Sequence, residues 1–362
     1  MKIIDLQTTP TAEILDQSCA CLAAGGLLIY PTETVYGAGV DATNQAAVDK
    51  LLKYKSRREG KPLSIAVNSQ KMAEKYVEIN EQAQQFYDQF LPGPYTIISK
   101  TKNQVAQGVA SEFSTIGIRW PDHELLNQLV AQYGRPITST SANASGKKRP
   151  YSVQDILANL SQTQKEKIDL ILDAGTLPPN SPSTVIDTTL STPLTVRHAD
   201  GQQPDETSLE LISNNETETK QIAGKILLKN WEKIKKTGLI IGLDGQLGAG
   251  KTIFAKGIAK FLQIDEMITS PTYTYIKEYD YQRHQTAGRF YHLDVWKIDN
   301  QAQLETLEIP QLFSHNNVIA IEWWQQIKNF LLPLIEQQNL PLVELGIKVI
   351  DDHQRKIRVY EK

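Results

Sequence analysis

The octet GQLGAGKT at 245 to 252, entered from the apolar run Leu239 to Leu243, constrains this chain more than any other feature. A strand that ends in Gly-x-x-x-x-Gly-Lys-Thr and passes directly into a helix is a P-loop, and it commits the second half of the chain to nucleotide phosphate. Gly245, Gly248 and Gly250, with the small Ala249 between the last two, let the backbone turn its N–H groups inward around phosphate oxygens. Lys251 then neutralises the β and γ phosphates, and Thr252 offers a hydroxyl to Mg2+. The plain alternative is a glycine-rich β-to-α turn, against which strand, spacing and helix all argue.

At 362 residues, with 40% hydrophobic and 22% charged residues, the chain has room for about two domains, each with its own core. Small polar, amide and acidic residues dominate Ala199 to Thr219 and set a boundary near Asp205, so the expected domains are 1–205 and 206–362. Before the boundary, short apolar strands at Leu27 to Tyr30, Leu63 to Val67, Tyr95 to Ser99, Ile116 to Arg119 and Ile137 to Ser139 alternate with helical patterns. Those patterns run over Thr11 to Ala24, Asn44 to Lys55, Gln70 to Tyr76, Gln82 to Phe90, His123 to Tyr133 and Ser152 to Ala158. The alternation predicts an α/β domain. After the boundary, Leu209 to Ile212 reads as an opening strand, with Ser213 to Thr217 capping a helix through Trp231.

The formal net charge is -3, and charges nearly balance on either side of Asp205. Neither half has the basic excess of an autonomous nucleic-acid binder. Cys19 and Cys21 are the only cysteines, too few for a four-ligand zinc site or a disulfide framework. No stretch approaches the length of a membrane span and the first residues lack a signal-peptide core, so the expected location is the cytoplasm.

Three polar clusters in the first half suit an anionic ligand: PTETVYG at 31 to 37, KSRREGKP at 55 to 62 and STSANASG at 139 to 146. Lys55, Arg57 and Lys61 put three cations within seven residues, an arrangement that suits phosphate or carboxylate but that a solvated charge run also explains. Ser141 and Asn143 lie in a loop of small residues that is either an adenylate cradle or an ordinary Ser/Asn turn.

These clusters, together with PGPYT at 92 to 96, GIRWPDH at 117 to 123 and STVID at 183 to 187, resemble in order the YrdC-like family of L-threonylcarbamoyl-adenylate synthases, called TsaC in bacteria. The likeness runs from Leu15 to Asp187 and implies a YrdC-like twisted, open α/β sheet. It also implies a reaction of L-threonine, bicarbonate and ATP to threonylcarbamoyl-AMP and pyrophosphate. Threonine's amine captures carbon dioxide as a carbamate, whose oxygen attacks the α-phosphate. By the same resemblance Lys55, Arg57 and Lys61 act on the triphosphate, Ser139, Ser141, Asn143 and Arg197 hold ATP and the adenylate, and Thr34, Arg119 and Ser183 bind threonine. Arg197 is followed by His198 and Ala199 where the family commonly has Pro-Gly.

In the second half, apolar runs end at Asp294 in YHLDVW and at Glu322 in IEWW, which puts two carboxylates at strand tips beside the P-loop. With SPT at 270 to 272, this resembles TsaE, the small P-loop ATPase of bacterial tRNA threonylcarbamoyladenosine synthesis, over roughly Leu209 to Tyr360. The resemblance implies a catalytic and metal role for Asp294, Mg2+ at Thr252 and Glu322, a γ-phosphate sensor at Thr272 and a nucleotide contact at Trp323. Trp323 and Trp324 read equally well as core aromatics, and His292 as a packing or hydrogen-bonding residue rather than a base. Gln246, Trp296 and Lys297 depart from the family pattern of aspartate and Tyr-Arg.

The two resemblances meet in one pathway: a fused chain whose first half makes the activated group and whose second half hydrolyses ATP for the complex that transfers it to adenosine 37 of tRNA. The implied partners are a TsaD-type transferase and its TsaB-type companion, with tRNA reached through them. The competing readings are an RNA-binding module joined to a regulatory ATPase, a carbamoyl-transfer protein of hydrogenase maturation, which would bring zinc-binding cysteine pairs, and a small-molecule kinase in the second half.

Overall fold

The computed structural model describes residues 1–55, 62–144, 147–199, 208–298 and 301–361. The chain divides into two compact units, Met1–Thr189 with Pro193–Gln203, and Leu190–Thr192 with Pro204–Lys362.

The first unit has strands β1 (Lys2–Asp5), β2 (Leu28–Tyr30), β3 (Gly37–Gly39), β4 (Ser64–Ala66), β5 (Val77–Glu78), β6 (Tyr95–Thr101), β7 (Thr115–Arg119), β8 (Ile137–Ser141), β9 (Leu170–Asp173), β10 (Thr184–Asp187) and β11 (Leu194–Arg197). Its helices are α1 (Thr11–Ala23), α2 (Gln45–Lys55), α3 (Gln70–Ala73), α4 (Glu81–Phe90), α5 (Glu124–Tyr133), α6 (Val153–Ala158) and α7 (Gln162–Lys165). The strands join in one mixed sheet in the order β1-β9-β2-β3-β8-β4-β7-β6-β10-β11, with β5 on β6. Helices start where a polar side chain can take an orphan N–H: Asn80 accepts from Ala83 N ahead of α4, and Ser152 from Asp155 N ahead of α6.

Some expected bounds need adjustment, and β6 runs past the expected Ser99 to Thr101. The helix expected over Gln70 to Tyr76 stops at Ala73, because Val77 pairs with Thr101 and the sheet overrides helical propensity there. The strand expected over Ile137 to Ser139 continues to Ser141, because Ser141 pairs with Gly37. The short strands β1, β3, β5, β9, β10 and β11 had no counterpart in the sequence reading.

The second unit has β12 (Ser208–Ser213), α8 (Glu216–Thr237), β13 (Leu239–Asp244), α9 (Lys251–Leu262), β14 (Ile276–Arg283), β15 (Thr286–Asp294), α10 (Gln301–Glu305), β16 (Val318–Glu322), α11 (Trp324–Gln337), β17 (Leu342–Val349) and β18 (Arg355–Glu361). The sheet order is β12-β18-β17-β13-β16-β15-β14. Strands β17, β13, β16 and β15 run parallel at its centre, and antiparallel strands close both sides. Asn215, inside the expected capping stretch, caps α8 by accepting from Glu218 N. α11 packs on β13, where the Trp324 ring so closely covers Gly242 that a Cβ added there would lie 2.4 Å from it. Trp324 is fully buried with Ile240, Leu293, Ile321 and Ile327, which makes it a core aromatic.

Candidate active sites

In the second unit, the parallel register aligns three strand tips. Leu243 pairs with Glu322, and Glu322 with Asp294, at the carboxyl ends of β13, β16 and β15. The P-loop leaves β13 there, at the position where open α/β sheets bind ligands. Gly245 has φ 151°, and a Cβ on it would lie 2.4 Å from the Ile347 carbonyl of β17, so only glycine lets the loop start. Gly250 caps α9, whose N-terminal N–H groups face the loop.

Thr252 Oγ1 donates to Glu322 Oε1 at 2.9 Å, and His292 Nε2 meets the same oxygen at 2.9 Å from a fully buried ring. His292 therefore orients the carboxylate by hydrogen bonding. Ser270 and Thr272 hydroxyls reach Asp294 Oδ2 at 2.9 and 3.1 Å, which ties the SPT segment to the second carboxylate. Lys251 Nζ donates to the Gly245 and Gln246 carbonyls at 2.7 and 3.1 Å and sits 4.0 Å above the centre of the Trp323 ring. Burial lowers the Lys251 pKa, against the upward pull of Glu322, Asp294 and Asp244. Trp323 precedes α11 with φ 67°, its N–H held by the Leu243 carbonyl at 2.8 Å. Gln246 is exposed, and Ala249 is buried with its carbonyl accepting from Arg355 Nε at 3.1 Å. Arg355 was not singled out in the sequence; it lies far from the loop in the chain and arrives only through the β17–β18 hairpin.

The hydroxyl and the two carboxylates are hard oxygen donors at the end of a phosphate-binding loop, a set that fits Mg2+ together with phosphate and water.

In the first unit, the structure brings Lys55 to the Ser141–Asn143 loop. Lys55 Nζ, buried at the end of α2, donates to the Ser141 and Asn143 carbonyls at 2.7 and 2.6 Å. Ser141 Oγ donates to Asn143 Oδ1 at 2.6 Å, and Tyr54 donates its phenol proton to the Ala142 carbonyl. Ser139 lies in β8 opposite Ser64, next to Thr138, whose carbonyl accepts from the Tyr30 phenol at 3.1 Å; burial pushes the pKa of that phenol up to about 12. Arg57 and Lys61 lie outside the described residues.

A second group gathers around the PTETVYG turn. Arg119 NH2 donates to Glu33 Oε1 at 2.6 Å and to Thr34 Oγ1 at 3.3 Å. Arg197 donates from Nε to the Ser183 carbonyl at 3.0 Å and from NH2 to Ser183 Oγ at 2.8 Å, and Ser183 Oγ lies 3.1 Å from Thr96 Oγ1. Thr96 pairs with Arg119 across β6 and β7, which puts both sets on one stretch of sheet. A cavity of about 290 Å³ opens there, lined by Glu33, Thr34, Tyr95, Asn180, Thr184 and Ala199 among others. Burial lowers the Arg197 pKa, and the positive charges of Arg119 and Arg149 lower it further. Three guanidinium groups thus act on one region, which an anion would relieve.

Arg197 is bonded to Ser183 rather than to the Ser139, Ser141 and Asn143 group with which the sequence reading placed it. Sequence reasoning also passed over Glu33, Asn180 and Arg149. Glu33 and Arg149 sat inside motifs already quoted or beside them; Asn180, whose Nδ2 donates to the Glu33 carbonyl at 2.8 Å, lay in no motif.

A P-loop unit with paired carboxylates, joined to a mixed-sheet unit in which Arg119 and Arg197 bond Thr34 and Ser183 beside a cavity, defines a nucleotide-handling enzyme of two modules. The chain belongs to the Sua5/YciO/YrdC family, described as "Telomere recombination", whose profile matches residues 20–199, and it carries a TsaE domain, "Threonylcarbamoyl adenosine biosynthesis protein TsaE", over residues 213–357. It is 37% identical over 186 residues to a putative threonylcarbamoyl-AMP synthase of Methanocaldococcus jannaschii, covering 51% of this chain and 86% of that protein. It is 32% identical to a threonylcarbamoyl-AMP synthase of Vibrio campbellii, covering 48% and 92%. Among solved structures, a variant of Pyrococcus abyssi Sua5 superposes with a TM-score of 0.51 at 26% identity, covering 72% of this chain and 74% of that one. P. abyssi Sua5 complexed with L-threonine shares the fold at a TM-score of 0.51 and 21% identity, covering 89% and 92%.

Proposed function

We propose that the chain is a bifunctional protein of tRNA threonylcarbamoyladenosine synthesis, with a synthase domain at 1–205 and an ATPase domain at 206–362. The first domain converts L-threonine, bicarbonate and ATP to threonylcarbamoyl-AMP and pyrophosphate. Bicarbonate takes up a proton and loses water to give carbon dioxide, and threonine's amine attacks that carbon and loses a proton to give a carbamate. A carbamate oxygen then forms the bond to the α-phosphorus as the bond to pyrophosphate breaks. The protein's share is positioning and charge stabilisation. The observation that carries this reading is the group of Arg119, Thr34, Ser183 and Arg197 beside the cavity, a set suited to an amino-acid carboxylate and its hydroxyl.

In this reading Thr34, Arg119 and Ser183 hold threonine, while Lys55, with Arg57 and Lys61, serves the triphosphate. Ser139, Ser141 and Asn143 hold the adenylate. Arg197 fixes Ser183 and so supports the threonine side.

In the second domain, the P-loop from Gly245 to Thr252 holds the phosphates, Lys251 leaves its carbonyl partners for them, and Thr252, Glu322 and Asp294 hold Mg2+ or its waters. Mg2+ would neutralise phosphate charge there. Thr272, bonded to Asp294, reports the γ-phosphate, and Trp323 borders the site beside Lys251. The ATPase supports a TsaD-type transferase with its TsaB-type companion, and the tether raises the local concentration of synthase near that complex. The work is placed in the cytoplasm.

Reconstitution with purified transferase partners, tRNA, threonine, bicarbonate and ATP tests the reading, with the modified nucleoside measured by mass spectrometry. The intact chain should support threonylcarbamoyladenosine formation, and Lys251→Ala should stop it after the first rounds. Sustained modification by Lys251→Ala would reject the ATPase role.

A further inference from the structure

In the second unit the helices leave part of one sheet face bare. Ile240, Gly242, Leu342 and Glu344 lie on the face that α11 covers, and by register the same face continues through Gly346 and Lys348 of β17, Lys356, Arg358 and Tyr360 of β18, and Glu210 of β12. Along β18 the alternation is sharp: Ile357 and Val359 are buried on the opposite face, while Arg358 and Tyr360 are exposed. Beside the tip of β13 this face holds a cavity of about 550 Å³, bounded by Asp244, Gly245, Gly346, Lys348, Lys356 and Arg358 among others. A Cβ on Gly346 would meet nothing within 4 Å, so the floor is open there.

The charges on this face are arranged rather than scattered. Lys348 pairs directly across from Lys356, and Gly346 from Arg358. Glu210 reaches from β12 to both Lys356, at 2.8 Å, and Arg358. One carboxylate thus aligns two cations and neutralises only one of them, while Lys348 has no ion-pair partner among the described residues. Asp244, the carboxylate that lines the cavity, accepts the Gln325 N–H at 3.0 Å, and burial raises its pKa. Tyr360, 39% exposed, extends the row next to Arg358, and Ile350, 49% exposed, adds an apolar edge beyond Lys348.

Side chains two apart on a strand stand about 7 Å from one another, on the order of the spacing of neighbouring phosphates in an extended polynucleotide. A row of cation, cation and aromatic on an open sheet face supplies phosphate contacts and a stacking surface in the register a single strand requires. A folded acidic partner would match the charge but would leave the aromatic end of the row without its use. We propose that the face formed by β12, β18 and β17 binds single-stranded RNA, with Lys348, Lys356 and Arg358 on the phosphates and Tyr360 under a base. The contact is direct, in addition to any made through a transferase complex. It stands on the sheet face alone, so its failure leaves the synthase and ATPase reading untouched.

The test is fluorescence anisotropy of the full chain with a labelled single-stranded RNA of about twelve nucleotides, titrated at several salt concentrations. Binding should weaken with salt, and Lys348→Ala/Lys356→Ala/Arg358→Ala should lower the slope by about 2 and the affinity at least tenfold. Tyr360→Ala should cost about tenfold, and Glu210→Gln should tighten binding. Thermal melting confirms that each variant folds. Absence of salt-dependent binding, equal binding by the triple variant, or full displacement of the RNA by AMP or by polyglutamate at matched charge would overturn the proposal.

Discussion

Asp41 is 1% exposed and nevertheless holds its charge. Burial opposes ionisation, but Thr43, Tyr133 and Arg135 all donate to the carboxylate, and together they outweigh it and hold the pKa below 3.8. Because the folded-state pKa is depressed, the stabilisation is complete above pH 3.8 and is lost as pH falls through the folded value. Asp41→Asn should therefore lower the stability of the first unit by about 1–3 kcal/mol at neutral pH. In urea titrations the gap to the unsubstituted chain should narrow below pH 3.8; a gap constant with pH would contradict the account. Arg197 offers a second test at this scale. If it supports Ser183, Arg197→Ala should raise the KM for threonine more than the KM for ATP. A rise confined to ATP would restore the ATP- and adenylate-binding role that the family resemblance implies for it.

At the scale of elements, the second site depends on three parallel strands ending at one level and on α11 being seated over β13. Trp324 fixes that seat. Trp324→Ala should cost about 3–5 kcal/mol of stability in the second unit, read as a lower urea midpoint there, with the first unit's transition unmoved. An unchanged midpoint would mean that α11 is held by other contacts. This part of the molecule was legible in the sequence for a physical reason: Leu239 to Leu243 and Val318 to Ile321 are unbroken apolar runs, and Glu322 marks where burial stops. The elements that escaped notice are those whose pattern is set by partners far along the chain. β3 is Gly-Ala-Gly and exists because Tyr30 and Ser141 flank it, while β10 joins the sheet beside β6 and β11 joins it beside β10. Glu33 escaped for a related reason, since its importance comes from an arginine 86 residues later.

For the whole molecule, the function we propose gives two modules that both consume ATP but break different bonds. In that proposal the synthase cleaves between the α and β phosphates and releases pyrophosphate, whereas the P-loop unit releases phosphate. The products therefore separate the two activities without separating the units. The most direct measurement incubates the purified chain with α-labelled ATP, threonine and bicarbonate, and follows labelled threonylcarbamoyl-AMP together with pyrophosphate. Formation should require both threonine and bicarbonate and should survive Lys251→Ala but not Arg119→Ala. No adenylate from a folded chain under these conditions, or adenylate that disappears with Lys251→Ala, would contradict the assignment of synthesis to the first unit.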